Sequence, residues 1–415
     1  MRAPVGAISS SGTTAVPPEW QAARRVLVVR LDNLGDVLLT TPAMRALRQS
    51  LPRASLTLLA SEVGAQVGRL DPDLDDVIVY AAPWMDPWQT LPLDPAREAG
   101  AIAAVAAGEY DAAVIFTSFR QSPLPAAYLC YLAGIPLRLA ASIDGPGSLL
   151  TTRHRHPERM MHEVERGLDL VAAIGAATDD DRLVLQVPPE ARDDAARFVD
   201  APRPLVVVHP GCSMPARTYP WEQYAAVISR LPRDLEARIV VTGAEHERDL
   251  VAAIVGEVDE RMRERVIPAA GALSFAGLCA LIDAADLTIT NNTGPMHIAA
   301  AVGTPVVALF ALTNPPQQWG PWRVPHRLLS HDVPCRLCYS RVCPTRHDCL
   351  RLVTPEMVVA ASVELLDEVG GRKSEVGREG AHVVGHHWTT LSAEQLSSDL
   401  GLPTSDATLP AGVRP

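Results

Sequence analysis

Short apolar runs recur along this chain, each closed by a polar turn and followed by a stretch whose apolar positions fall three or four apart. In the first half, Arg25–Arg30, Ser55–Ala60, Val77–Tyr80 and Asp111–Phe116 read as strands. Asp36–Gln49 and the regions around Arg97–Ala107 and Pro125–Ala133 read as helices. That alternation predicts a parallel sheet covered on both faces. A longer helix is expected over Met161–Ile174, with Val164, Leu168, Leu170 and Val171 close to one face. Residues 186–204, with four prolines and many charges, predict an interdomain connection holding a short helix. The alternation then restarts at Leu205–His209 and continues through Pro220–Leu231, Ala237–Thr242, Glu245–Val255 and Ser274–Ala285. The expected fold class is therefore α/β, two doubly wound Rossmann-like domains facing a cleft. Its expected divisions are a loose leader 1–23, a first domain 24–186, a linker 187–204, a second domain 205–350, a helix 351–370 and a flexible tail 371–415.

The stretch 286–310 reads as strand, turn, helix, strand. Leu287–Thr290 stops at a turn of hydrogen-bonding residues, an Ala-rich helix starts at Thr293-Gly294-Pro295, and Gly303-Thr304-Pro305 ends it before Val306–Phe310. A helix start leaves backbone N–H groups unpaired and carries partial positive charge, which suits a phosphate; an ordinary capped helix explains the same pattern. The turn after the first strand, Leu31–Val37, holds only Gly35, so it lacks the three-glycine dinucleotide fingerprint and a nicotinamide-dependent oxidoreductase loses its main support. Asp36 stands at a helix start, where a carboxylate caps the helix or faces a substrate. The strand Val206–Val208 runs into His209-Pro210-Gly211-Cys212-Ser213, whose backbone around Gly211 and Ser213 offers donors, and Arg217 adds a guanidinium suited to phosphate oxygens. Glu245 follows the next strand, placed either to accept from ribose hydroxyls or to serve as an N-terminal helix charge.

Composition narrows the classes. The net charge of −11 disfavours nucleic-acid backbones and anionic membrane surfaces. Met1–Trp20 lacks the apolar core of a signal peptide, and Ile298–Leu312 is too short and too interrupted to span a bilayer, so a soluble cytoplasmic protein is expected. Of seven cysteines, Cys130, Cys212 and Cys279 stand singly as packing residues, whereas Cys335, Cys338, Cys343 and Cys349 crowd one segment. That segment admits a structural zinc, reduced thiols or disulfides, and four thiolates leave no open position for a catalytic ion.

Taken together, Val26–Arg48, Val207–Tyr224, Val241–Asp249 and Leu287–Pro321 resemble glycosyltransferase family 9, the lipopolysaccharide heptosyltransferase family. The matching residues are Arg30-Leu31-Asp32-Asn33-Leu34-Gly35-Asp36 with Thr40-Thr41-Pro42-Ala43, His209-Pro210-Gly211, Asn292-Thr293-Gly294-Pro295-Met296-His297 and Gly303-Thr304-Pro305. With Tyr110-Asp111, Ala133-Gly134, the His162–Gly175 helix and the Cys segment, the similarity covers roughly residues 24–368. The resemblance implies a GT-B architecture and an inverting transfer, without a cofactor or metal in catalysis, from a nucleotide-diphosphate sugar, typically ADP-heptose, to a hydroxyl acceptor. It implies that Asp36 is the general base and that Arg217, standing where the family often has Lys, holds the diphosphate. Thr293, Gly294 and His297 would bind that diphosphate at the helix start, and Glu245 would contact the ribose.

Two positions depart from the family pattern. Asn292 replaces the Asp of Asp-Thr-Gly, and Thr313-Asn314-Pro315 replaces Thr-Asp-Pro. An amide both donates and accepts where a carboxylate only accepts, so recognition of the donor sugar's hydroxyls is expected to differ at Asn292. The acceptor is a glycan, a glycolipid or a small molecule, and a glycolipid would bring peripheral membrane contact. A noncatalytic sugar-nucleotide or partner-binding protein with the same fold is the alternative from another class.

Overall fold

The computed structural model describes residues 15–85, 90–199, 203–231 and 237–376. Most of the expected leader, part of the Pro83–Trp88 loop, and the tail that carries His382, His386, His387 and Trp388 lie outside the described residues. Two sheets of six parallel strands form the frame. The first is built from β1 (Arg25–Arg30), β2 (Ser55–Ala60), β3 (Asp76–Val79), β4 (Ala112–Ile115), β5 (Leu137–Ala141) and β6 (Thr152–His154), in the order β3-β2-β1-β4-β5-β6. The second is built from β7 (Leu205–His209), β8 (Arg238–Gly243), β9 (Val266–Ala270), β10 (Leu287–Asn291), β11 (Val306–Leu309) and β12 (His326–Leu329), in the order β12-β11-β10-β7-β8-β9. Read from its other edge, the second sheet repeats the order of the first. The expected doubly wound α/β architecture is present twice.

That order has a functional consequence. The winding direction reverses between the first and fourth strand of each sheet, and the crevice outside the carboxyl ends of those two strands is where such sheets bind ligands. In the first sheet β1 pairs β4, Val26 opposite Ala112 through Val29 opposite Ile115. In the second, β7 pairs β10, with Leu287 opposite Val206 and Thr290 opposite His209. The two reversal points fall at Arg30–Asp36 and at His209–Ser213 with Asn291–Thr293.

The Leu34–Ser50 helix joins the units. It carries Pro42 in its interior, which cannot donate to the Leu38 carbonyl. The Thr41 hydroxyl takes over that carbonyl at 2.7 Å and accepts from the Val184 amide at 2.8 Å, so the turn stays satisfied. Its face of Val37, Leu38, Met44 and Leu47 enters a continuous apolar cluster that also contains Met296, Ile298 and Ala299 of the second unit's Gly294–Val302 helix. A contiguous core of this kind favours one closed arrangement. The proline-rich stretch holds the Pro189–Val199 helix, tied to the second unit by Asp194, which accepts from the Ser274 amide and hydroxyl. The terminal helix, expected to stop at 370, runs Pro355–Val376. Among the described residues no helix is long and apolar enough to cross a membrane.

Candidate active site

At the first reversal point three carboxylates surround one guanidinium. Arg30, the last residue of β1, is buried; its Nε lies 3.0 Å from Asp32 Oδ2 and its Nη2 3.2 Å from Asp36 Oδ1, with Glu163 Oε2 at 4.0 Å. Ser118, just beyond β4, accepts from Arg30 at 2.8 Å and donates to Asp36 Oδ1 at 3.1 Å. Gln121 donates to Asp32 at 2.6 Å. Burial, opposed by Arg30, pushes the Asp32 carboxyl up to about 6, and burial likewise raises Glu163 although Arg30 and Arg166 flank it.

Asp36 itself sits in the first turn of the Leu34–Ser50 helix and accepts the Asn33 amide at 3.2 Å through Oδ2. The capping contact expected of this residue is present, and it leaves the second carboxylate oxygen free of the helix start. One oxygen closes the helix start while the other is fixed by Arg30 and Ser118. Its side chain remains 15% accessible, unlike the sealed Arg30 behind it.

At the second reversal point the turns are held by Asn291, which sequence reasoning passed over. Its Nδ2 donates to the Pro210 carbonyl at 2.7 Å and its Oδ1 accepts the Tyr219 amide at 3.0 Å. Gly211 is buried and Ser213 exposed beside this turn. Thr293 has extended backbone as the N-cap of the Gly294–Val302 helix, which Gly303 ends in the left-handed conformation at φ 82°. Arg217 is half-buried and donates from Nε to the Thr313 hydroxyl at 3.0 Å. The two sequence departures prove to be neighbours: Asn292 Nδ2 donates to Asn314 Oδ1 at 3.3 Å, and Asn292 Oδ1 accepts the Ala311 amide at 3.2 Å. Both ends of Asn292 are thereby engaged within the protein.

Glu245 is placed apart from the other site residues. It is exposed and paired with Arg248 through both oxygens, at 2.5 and 2.8 Å. The carboxylate facing the site on this side is Glu247, which accepts the Ala244 amide at 2.7 Å and lies so near Gly211 that a Cβ there would fall 2.0 Å from Glu247 Oε1. Sequence spacing alone does not distinguish two glutamates in one turn.

The two reversal points face one another. A Cβ added to Gly35 would lie 2.7 Å from His297 Cδ2, and one added to Gly294 would lie 3.1 Å from Leu34 Cδ2, so the starts of the two helices are in contact. His297 is buried with its Nδ1 lacking a hydrogen-bond partner among the described residues. Burial, then the charges of His162 and Arg217, push its imidazole down to about 3, so it is neutral at physiological pH. Around this meeting point the units are pinned by Gln318 donating to Glu163 at 2.5 Å, by His162 Nε2 and the Gly320 carbonyl at 3.0 Å, and by Arg120 over the Tyr339 ring at 4.1 Å.

The four clustered cysteines form no disulfide and line one cleft of about 310 Å³ with Ala216 and Thr313, beneath the turn that carries Arg217. The Ala216 amide donates to the Arg341 carbonyl at 2.8 Å and the Tyr339 amide to the Thr313 carbonyl at 2.8 Å, so this segment buttresses the Arg217 and Thr313 turns. A tetrahedral ion would need these sulfurs drawn together, since no three of them lie within 4.8 Å of one another.

Known proteins share this organisation. Residues 102–348 match the sequence model of glycosyltransferase family 9 (heptosyltransferase). Lipopolysaccharide heptosyltransferase 3 of Escherichia coli K12 is 25% identical over 345 residues, which cover 80% of this chain and 96% of that protein. A glycosyltransferase family 9 structure from Veillonella parvula superimposes with a TM-score of 0.68 at 22% identity, covering 83% of this chain and 97% of that one. The ADP-heptose lipopolysaccharide heptosyltransferase II of Escherichia coli gives a TM-score of 0.67 at 20% identity, covering 83% and 99%. With more than half its length matched to the family and its paired sheets in the GT-B arrangement, the chain belongs to glycosyltransferase family 9 and is a glycosyltransferase.

Proposed function

We propose that the chain transfers heptose or a closely related sugar from a nucleotide-diphosphate donor, ADP-heptose first among the candidates, to a hydroxyl of a lipopolysaccharide-type glycan, with inversion at the anomeric carbon. The observation that carries this reading is the contact of Leu34 with Gly294 and of Gly35 with His297, because it brings the segment that ends in Asp36 against a helix start of the kind suited to an anion. An acceptor hydroxyl hydrogen-bonds to the accessible edge of Asp36. As that oxygen attacks the anomeric carbon, Asp36 takes its proton, the bond from the anomeric carbon to the phosphate oxygen breaks, and the nucleoside diphosphate leaves. Attack from the face opposite the leaving group inverts the centre. Charge developing on the leaving phosphate is met by the backbone N–H of Gly294 at the helix start and by the Arg217 guanidinium.

Arg30 and Ser118 hold Asp36 in one rotamer, so it need not be ordered during the reaction. Neutral His297 provides a ring nitrogen without adding a competing cation. Asn292 acts from behind the site through Asn314 and Thr313 on Arg217, and Glu245 lies at the rim, within reach of a ribose only if it exchanges Arg248 for that contact. The reading places the enzyme in the cytoplasm, touching the membrane peripherally where the acceptor is a glycolipid; exposed Phe119, Tyr128, Tyr131 and Leu132 on the first unit support that contact.

The test is a panel of nucleotide sugars scored by thermal stabilisation and by acceptor-dependent release of nucleoside diphosphate, with the product's anomeric configuration read by NMR. ADP-heptose should stabilise and be consumed, and the new linkage should be inverted. Stabilisation by another nucleotide sugar alone would overturn the donor, and a retained anomeric configuration would overturn the displacement.

A further inference from the structure

Away from the facing helix starts, the structure assembles a set of metal-ligating groups that the transfer reaction does not use. His154 ends β6, His156 follows it by two residues, and Asp169 projects from the Glu163–Ala172 helix. Their ligand atoms all lie within 4.8 Å of one another, and among the described residues no other three His, Cys, Asp or Glu side chains meet that criterion. His154 Nε2 lies 2.6 Å and His156 Nδ1 2.7 Å from the same oxygen, Asp169 Oδ2. The rings meet edge to face at 5.0 Å between centroids.

We propose that His154, His156 and Asp169 form a binding site for a divalent transition-metal ion such as Zn²⁺ or Co²⁺. The argument is independent of the donor and acceptor assigned above. Two ring nitrogens meet one carboxylate oxygen, so three donor atoms from two elements share a space small enough for one ion. Two imidazoles and a carboxylate are a donor set favoured by zinc and its neighbours. Metal–ligand distances of about 2.0–2.2 Å place neighbouring donors roughly 3.3 Å apart, so each ring retreats from the carboxylate by only about 0.6 Å.

The nearby cation is Arg166, and its charge is answered by Glu163 Oε1 at 3.1 Å. The three side chains keep between 14% and 28% of their surface, leaving an outward coordination position for water. His156 also lines a cleft of about 290 Å³ with Arg30, Thr40, Glu163 and Arg166. An ion here would clamp the exit of β6 onto the helix whose first residue braces Arg30.

The test is titration of the chelator-stripped full chain with Co²⁺, followed by visible absorption. In Cys338→Ser/Cys343→Ser, which removes two of the clustered thiols, cobalt should still bind, with ligand-field bands that lack thiolate charge transfer. Binding should weaken by more than about 100-fold in His154→Ala/His156→Ala, beyond what loss of outer-shell groups costs. In the unaltered protein, imidazole N–H resonances shifted by the paramagnetic ion provide a readout that needs no variant. Unchanged cobalt stoichiometry in the double variant, or an absence of shifted imidazole resonances in the unaltered chain, overturns the site.

Discussion

Asp36→Asn separates the capping contact seen at this residue from the general-base role proposed for it. The amide keeps one acceptor but turns an N–H₂ group toward either the Asn33 amide or the Arg30 guanidinium, both of which are donors. Losing a cap costs about 1 kcal/mol and losing a hydrogen bond to a charged group about 1.5–3 kcal/mol, so the variant, which keeps one of the two, loses at most about 3 kcal/mol of stability. Arg30 keeps Asp32 at 3.0 Å and Glu163 at 4.0 Å, which prevents the larger penalty of an orphaned buried charge. Even a domain of only about 5 kcal/mol would keep roughly 2 kcal/mol and stay about 97% folded. Unfolding therefore removes only a few per cent of activity, whereas loss of a general base removes a factor of about 10²–10⁴ in turnover. Acceptor-dependent release of nucleoside diphosphate, measured beside a circular-dichroism melt, reads both quantities. Ser118→Ala, which removes one neutral donor from the same oxygen at 3.1 Å, should cost less than about tenfold. Turnover by folded Asp36→Asn within about tenfold of the unaltered enzyme would refute the assignment.

Further outcomes follow from other residues. Asp71 is buried with Oδ2 lacking a hydrogen-bond partner among the described residues, and burial raises its carboxyl to about 7. Between about pH 4 and 7 the folded chain holds a proton that the unfolded chain has lost, so stability falls as pH rises, by up to about 4 kcal/mol. Asp71→Asn does not titrate; its Tm relative to the unaltered chain should rise from pH 5 to pH 8, and a constant difference would contradict the shift. Gly35→Ala sets a methyl 2.7 Å from His297 Cδ2, and an overpacking cost of roughly 1–3 kcal/mol should appear both as a lower Tm and as weaker nucleotide-sugar binding, measured by calorimetry. If the cleft of Cys335, Cys338, Cys343 and Cys349 closes on a structural zinc, elemental analysis finds one ion per chain that Cys338→Ser loses and that a chelator removes with a fall in Tm; four freely alkylated thiols in the native protein would exclude it.

Much of this architecture is legible in the chain because central parallel strands are apolar along their whole length. β1 and β7 read directly from such runs, β10 from the β-branched alternation Leu287-Thr288-Ile289-Thr290, and the turns after all three read as well. The strands missed are of two kinds. β6, β9 and β12 are short edge strands, β9 with Pro268 in it, and edges lack the two-sided burial that makes a run continuous. β5 lies inside the sheet but carries Arg138, whose charge argues against burial until its donors are seen on the Leu149 and Ser148 carbonyls at 2.7 and 2.8 Å. At the site, the motif identifies Asp36, Arg217 and His297, but Arg30 reads as a strand terminus because its carboxylates come from Asp32, Asp36 and distant Glu163. An Arg ending an apolar strand and followed two and six residues later by Asp is the signal that points to it. Long-range partners such as Gln318 on Glu163 leave no local trace.

The buried amide pair has one more consequence. From Arg217 Nε to the Thr313 hydroxyl, from that hydroxyl to Asn314 Oδ1, and from Asn292 Nδ2 to the same oxygen, every proton in the chain has a fixed direction. Turning the Asn314 amide over would set its N–H₂ group against the Asn292 N–H₂ group, donor against donor, and take this acceptor from the Thr313 hydroxyl proton. The chain is thus polarised like a diode, and its polarity is set by Arg217. Position 292 should therefore be the more restrictive of the two, because an acid at 314 alone still accepts from both Asn292 and Thr313, whereas an acid at 292 alone would face the Asn314 oxygen with no proton between them.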